Sequence, residues 1–141
     1  MPARKNQALR PVIALTPGDP AGIGPEIVLR AAADPALARL CRLVVVGDRK
    51  VMEPAARVLS APRGRKTKNF LKNLEFLEGG KIRLRDVQWG KTSAAAGRFS
   101  YECLESAVRL VLAGKADALV TAPISKKAWE LAGLPYPGHT E

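Results

Sequence analysis

The feature that most constrains the fold is one long amphipathic run and the apolar segment directly after it. From Ser93 to Leu112, the residues Leu104, Ala107, Val108, Val111 and Leu112 recur at i, i+3, i+4, i+7 and i+8, the spacing that lays one apolar stripe along a helix. Gly114 ends that helix, and Ala118 to Thr121 follows as a short apolar run that reads as a buried strand. Helix into strand is half of a crossover, and the same alternation occurs upstream. Pro11 to Thr16 and Leu43 to Val46 are apolar runs of strand length. The first leads into a helix whose expected buried face is Ile23, Ile27, Val28 and Ala31. The second leads, through Gly47-Asp48, into a helix from Arg49 to Leu59 in which Pro54 predicts a kink or an early break. Leu74 to Leu77 and Ile82 to Val87 read as short strands around Gly79-Gly80, a hairpin. The expected fold is α/β: a mostly parallel sheet with flanking helices and one added hairpin.

Composition narrows the class. The 141 residues suffice for one domain with its own core, and no apolar run approaches the roughly 20 residues that cross a membrane. Met1 to Arg10 carries Arg4, Lys5 and Arg10 without the apolar stretch of a secretory signal, so residues 1–10 are expected to be a frayed extension of a soluble, cytoplasmic protein. Cys41 and Cys103 lie in apolar segments without metal-type spacing and read as buried, reduced thiols. The net charge of +10 is concentrated between Arg57 and Lys91, where ten Lys or Arg face three Asp or Glu. Clustered cations such as those of Pro62-Arg-Gly-Arg-Lys-Thr-Lys-Asn69 can neutralise phosphates. Phe70 and Phe76 are nevertheless spaced for packing rather than for base stacking, which favours a solvated basic loop over a nucleic-acid site.

Two stretches carry chemistry. Pro17-Gly-Asp-Pro-Ala-Gly-Ile-Gly-Pro-Glu26 turns the first strand into a helix, with Pro25 suited to the first helical position. Its glycines do not follow the G-x-G-x-x-G dinucleotide pattern. A tight connection and a direct ligand contact by Gly22 or Gly24 both remain open, while Asp19 and Glu26 suit a cap and a first turn near a positive dipole end. In the second stretch, Asp117 to Glu141, a strand ends at Ala122-Pro123, Ser125, Lys126 and Lys127 open a short helix closed by Gly133, and a Pro/Gly loop delivers His139, Thr140 and Glu141. Carboxyl ends of parallel strands are where open α/β sheets bind ligands, so this region is the expected site edge. His139 is the single histidine, and no second His, Cys pair or carboxylate cluster closes a metal site around it. Ser125 lacks a nucleophile elbow.

Together, Thr16-Pro-Gly-Asp-Pro-Ala-Gly-Ile-Gly-Pro-Glu26, Asp117-Ala-Leu-Val-Thr-Ala-Pro-Ile-Ser-Lys126 and Gly138-His-Thr-Glu141 resemble the 4-hydroxythreonine-4-phosphate dehydrogenase family of pyridoxal phosphate (vitamin B6) biosynthesis, over the N-terminal portion of its members. The resemblance implies an isocitrate/isopropylmalate-dehydrogenase-like fold in residues 11–141. It also implies a homodimer when full length, and NAD or NADP as oxidant of a small phosphorylated hydroxy-amino-acid. A divalent metal (zinc, magnesium or cobalt) would polarise the alcohol. The family's metal-binding histidines fall beyond Glu141, so no metal ligand is expected within the chain, and the 141 residues alone are expected to be inactive. By motif matching, His139 and Thr140 take substrate-binding positions, and Lys126, Asp19, Gly22 and Gly24 are site-edge candidates. Two alternatives share these residues: a paralogue acting on 4-phosphothreonate, 4-phosphoerythronate or an aromatic cis-dihydrodiol, and a non-catalytic fragment with a basic binding surface.

Overall fold

The computed structural model describes residues 10–61, 68–72 and 74–140. Residues 1–9 of the expected extension, 62–67 of the basic Pro62–Asn69 segment, and Glu141 thus lie outside the described residues. Four strands, β1 (Val12–Thr16), β2 (Arg42–Val46), β3 (Glu75–Leu77) and β4 (Ala118–Thr121), form one sheet in the order β3-β2-β1-β4. Every pairing is parallel, with Leu15 opposite Val45 on one side and Val120 on the other. Between the strands run α1 (Gly24–Ala32), α2 (Pro35–Leu40), α3 (Arg49–Ser60), α4 (Lys68–Lys72) and α5 (Ala94–Leu112), and α6 (Lys126–Leu131) follows β4.

Side-chain alternation along the strands separates two cores. Leu15 and Val45 face one way and join Val28 and Leu29 of α1, Met52, Ala55 and Ala56 of α3, and Leu71 of α4. Ala14 and Val46 face the other way and pack with Ala107 of α5. Helices therefore cover both faces, as parallel strands require.

Local chemistry accounts for most helix starts. The side chains of Asp34, Asp48, Ser93 and Ser125 each accept a hydrogen bond from a first-turn N–H of the helix that follows, satisfying a donor that otherwise has no partner. Helix α3 runs through Pro54 to Ser60 without the expected early break. Its Val51, Met52, Ala55 and Ala56 are buried, and packing on this scale offsets the roughly 3 kcal/mol that an interior proline costs.

Four expectations are corrected. First, the hairpin does not form: β3 pairs with β2 in parallel, and Leu84–Asp86 is a 3-10 turn. Arg42 of β2 holds Glu75 by two hydrogen bonds of 2.8 and 2.6 Å, and the Arg49 guanidinium lies 4.5 Å over the Phe76 ring. Gly79 and Gly80 serve close packing instead of a turn, since a Cβ on Gly80 would lie 2.6 Å from the Phe99 carbonyl oxygen. Second, α1 buries Gly24, Pro25, Val28 and Leu29, leaving Ile23 and Ile27 exposed. Gly24 seats the first turn against the Pro17 carbonyl, and that contact sets the helix rotation. Third, α5 buries Ala96, Gly97, Phe99, Ser100, Cys103 and Ala107, while Val108 and Leu112 of the expected stripe are 39% and 83% exposed. Small residues let the N-terminal half of this helix approach the sheet and α6 closely. Fourth, β4 is an edge strand with Ala118 and Val120 exposed, not a buried one.

Both cysteines are free; Cys103 is buried and Cys41 half-buried. Burial pushes the Cys103 thiol up to about 12. The unfolded thiol titrates near 8.5, so the unfolded chain releases this proton first. The group's contribution is intact below that pH and declines as pH rises toward 12. At pH 8 a thiol-selective reagent should label Cys41 in the native protein and reach Cys103 only after denaturation. Two equally fast thiols in the native state would contradict the buried assignment.

Candidate active site at the carboxyl ends of β1 and β4

The strand order places β2 on one side of β1 and β4 on the other, with their crossover helices on opposite faces. The junction of β1 and β4 is therefore the sheet's topological switch point, where parallel α/β folds bind ligands outside the strand ends. Both chemically marked stretches leave the sheet there. Asp19 N–H donates to the Pro123 carbonyl at 2.9 Å. Gly18, at φ +66°, sits where a Cβ would lie 2.2 Å from that same oxygen, so only glycine allows the two loops to close on each other.

The site-edge candidates now divide. The Asp19 carboxylate accepts from Ala21 N–H at 2.9 Å and shapes the turn; it does not cap α1, whose N-cap, Ile23, makes no side-chain bond. Gly24 is buried beneath the turn, where a Cβ would come 1.9 Å from the Pro17 oxygen. Gly22 has ordinary room around it, since a Cβ there would meet nothing nearer than the Asp19 oxygen at 3.5 Å.

Beyond β4, α6 is clamped on α5. A Cβ on Gly97 would lie 2.1 Å from the Ala128 oxygen, so the two backbones touch there. Trp129 is 1% exposed, and its Nε1 donates to Ser100 Oγ at 2.8 Å, which donates in turn to the Gly97 carbonyl at 2.9 Å. Tyr101 meets Trp129 edge-on, with centroids 5.6 Å apart, and stacks on Tyr136 at 5.9 Å. Desolvation, and then Tyr136, raise the Tyr101 phenol above its ordinary value. Gly133, at φ +70°, reverses the chain after α6. The following loop brings His139 back over the end of β4, with Nε2 3.4 Å from Thr121 Oγ1. Thr140 is exposed beside it.

A cavity of about 320 Å³ opens here, lined by Tyr101, Leu104 and Val108 along one stripe of α5, by Trp129 and Tyr136, and by the charged or polar side chains of Glu105 and His139. Lys126 lines a separate cavity of about 460 Å³ on the far side of Tyr136, beside Lys127, which pairs with Glu130 at 2.9 Å. The structure thus brings His139 to the strand end but does not place Lys126 in the same cavity. Sequence reasoning missed Tyr101, Thr121, Trp129 and Tyr136. The available signal was a Trp and a Tyr on either side of Gly133 in a chain that is only 5% aromatic. Among the described residues, no group of three or more His, Cys, Asp or Glu is placed to hold a metal ion, so this donor set does not fit one. No helix among them is long and apolar enough to cross a membrane.

Residues 39–141 match the family model described as pyridoxal phosphate biosynthetic protein PdxA. The 4-hydroxythreonine-4-phosphate dehydrogenase of Synechocystis sp. is 43% identical over 131 residues, covering 93% of this chain and 38% of that protein. Among solved structures, a 4-hydroxythreonine-4-phosphate dehydrogenase from Burkholderia phymatum superposes with a TM-score of 0.80 at 34% identity, over 93% of this chain and 42% of the other. A terephthalate 1,2-cis-dihydrodiol dehydrogenase from Burkholderia xenovorans LB400 gives 0.67 at 29%, over 91% and 38%. The chain spans about two fifths of the length of the curated relatives it matches. With the turn after β1, the end of β4 and His139 brought together at one end of the sheet, and with this likeness across nearly all of its length, the chain belongs to the PdxA family of pyridoxal phosphate biosynthetic proteins.

Proposed function

We propose that these residues form the substrate-side part of a 4-hydroxythreonine-4-phosphate dehydrogenase. The reaction is NAD- or NADP-dependent oxidation of the secondary alcohol of 4-phosphooxy-L-threonine, followed by decarboxylation to 3-amino-2-oxopropyl phosphate. The observation that carries this reading is the convergence at the β1–β4 switch point, where His139 is held at a strand end beside a cavity. His139 and Thr140 hydrogen-bond the hydroxy-amino-acid portion, as an imidazole and a hydroxyl can. Lys126, in the neighbouring cavity that shares Tyr136, lends positive charge to this end of the sheet without lining the His139 cavity. Asp19, Gly22 and Gly24 shape the adjoining edge without touching the reacting atoms. A divalent metal, whether zinc, magnesium or cobalt, takes its ligands from outside the described residues, and the working enzyme is a cytoplasmic homodimer. The 141 residues alone bind substrate without turning it over. The aromatic wall of the cavity favours one second reading, an aromatic cis-dihydrodiol as substrate.

Because His139 is the single histidine, its imidazole signals in an NMR spectrum are unambiguous. Titration with 4-phosphooxy-L-threonine should shift them, and a terephthalate cis-dihydrodiol should not. His139→Ala should weaken the phosphorylated ligand about tenfold to a hundredfold, the value of a hydrogen bond worth roughly 1–3 kcal/mol. No NADH should form with zinc, magnesium or cobalt added. An imidazole indifferent to the phosphorylated compound sinks the reading, and a response to the dihydrodiol alone installs the second.

A further inference from the structure

We infer that Thr121 is the positioning residue for His139, fixing the imidazole so that Nδ1 is the nitrogen presented to substrate. The inference rests on His139 contacting substrate as proposed above. Thr121 is the last residue of β4, in register with Thr16 of β1, and Ala122 N–H donates to the Thr16 carbonyl immediately after it. Its backbone is therefore tied into the sheet on the very residue where the strand ends. Leu119, two residues earlier, packs with Ala14 and Ala107 beneath α5. Strand alternation then puts the Thr121 side chain on that same side of the sheet. A β-branched side chain has few χ1 options, so its hydroxyl is a stiff partner.

His139 is the opposite case: an exposed side chain on a loop of prolines and glycine. The loop itself is anchored on either side of Pro137, by Tyr136 stacked on Tyr101 and by the buried Gly138. Those anchors locate the backbone but leave the imidazole free to rotate about its own bonds. The described contact that restrains the ring is Nε2 to Thr121 Oγ1, at 3.4 Å, the long end of hydrogen-bonding distance. A threonine hydroxyl can donate to a bare ring nitrogen or accept from a protonated one, so it holds the ring in either tautomer. With Nε2 engaged, Nδ1 remains for a ligand hydroxyl or carboxylate. Pre-orienting a ligand contact lowers the ordering cost of binding without adding any contact to the ligand.

Two variants of the chain test this. Thr121→Val keeps the branched shape and removes the hydroxyl, and Thr121→Ser restores it. Without ligand, NMR relaxation of the His139 ring should report an ordered imidazole in the parent and in Thr121→Ser, and a mobile one in Thr121→Val at an unchanged melting temperature. With 4-phosphooxy-L-threonine, Thr121→Val should weaken binding about two- to tenfold, the range of one neutral hydrogen bond. That loss should vanish when Thr121→Val is made in a His139→Ala background, because a residue acting through another has nothing to position once its partner is gone. A ring equally ordered in Thr121→Val overturns the inference, as does a loss that persists without His139, which would make Thr121 a direct ligand contact or a structural residue. A ring loosened by Thr121→Val in a chain that binds no substrate would leave the positioning intact and remove the proposed function instead.

Discussion

Trp129→Ala is expected to destabilise the protein by about 3–5 kcal/mol, the usual cost of emptying a buried aromatic site. The site cannot collapse cheaply. Gly97 already brings the α5 and α6 backbones into contact, so the helices have no room to close further over the void. Three interactions go together: packing of a side chain that is 1% exposed, the 2.8 Å bond from Nε1 to Ser100, and the edge-on contact with Tyr101. Because Tyr101 also carries Tyr136, the damage should spread along the loop to His139. Trp129→Phe should cost less, since it retains most of the buried area and Ser100 Oγ keeps its bond to the Gly97 carbonyl. Urea denaturation followed by circular dichroism measures both. A loss below about 1 kcal/mol for the alanine variant would mean that α6 is not held by this side chain.

The second large effect is at the β1–α1 junction, where two terms of opposite sign compete. Gly24→Ala gains helix propensity, worth roughly 0.5–1 kcal/mol. Against this, the new methyl would stand 1.9 Å from the Pro17 carbonyl oxygen, and backbone on both sides must shift. Overpacking of this kind costs typically about 1–3 kcal/mol and can cost more, so net destabilisation is expected as the turn is pushed out of place. Gly22→Ala is the matched control. Its methyl would meet the Asp19 oxygen at an ordinary 3.5 Å, and a change within about 0.5 kcal/mol is expected. Thermal or urea melts of the two variants side by side decide the matter. Equal effects would show that the glycines act through chain entropy and not through the close approach at Pro17.

Gly22 and Gly24 also illustrate the limit of reading this chain as a string. Both suit ligand contact by sequence, yet only their surroundings distinguish a spacer from a residue wedged under a carbonyl. The same holds for helix rotation. Periodicity locates α5 almost to the residue, because Ser93 and Gly114 mark its ends by local backbone chemistry. It misjudges the buried side, because the apolar residues of this helix do not all lie on one stripe. The buried side is chosen by close approaches between elements, with Gly97 and Ser100 set against α6, Cys103 against Gly79 and Gly80, and Ala107 against the sheet.

The features legible along the chain are those that depend mostly on neighbours within a few positions. These are the strand–helix alternation that forces parallel pairing, the side-chain caps, the positive-φ glycines that end α5 and α6, and the order of the three motif stretches. Packing between distant elements is what makes β3 pair with β2 instead of folding back as a hairpin, since Arg42 and Glu75 are far apart in the chain and meet through the sheet. It alone decided that β4 is an edge, that Lys126 and His139 are parted by Tyr136, and that Thr121 lies under the imidazole. Each of these joins groups whose separation is set by packing between elements, and local propensity carries no information about contacts of that range.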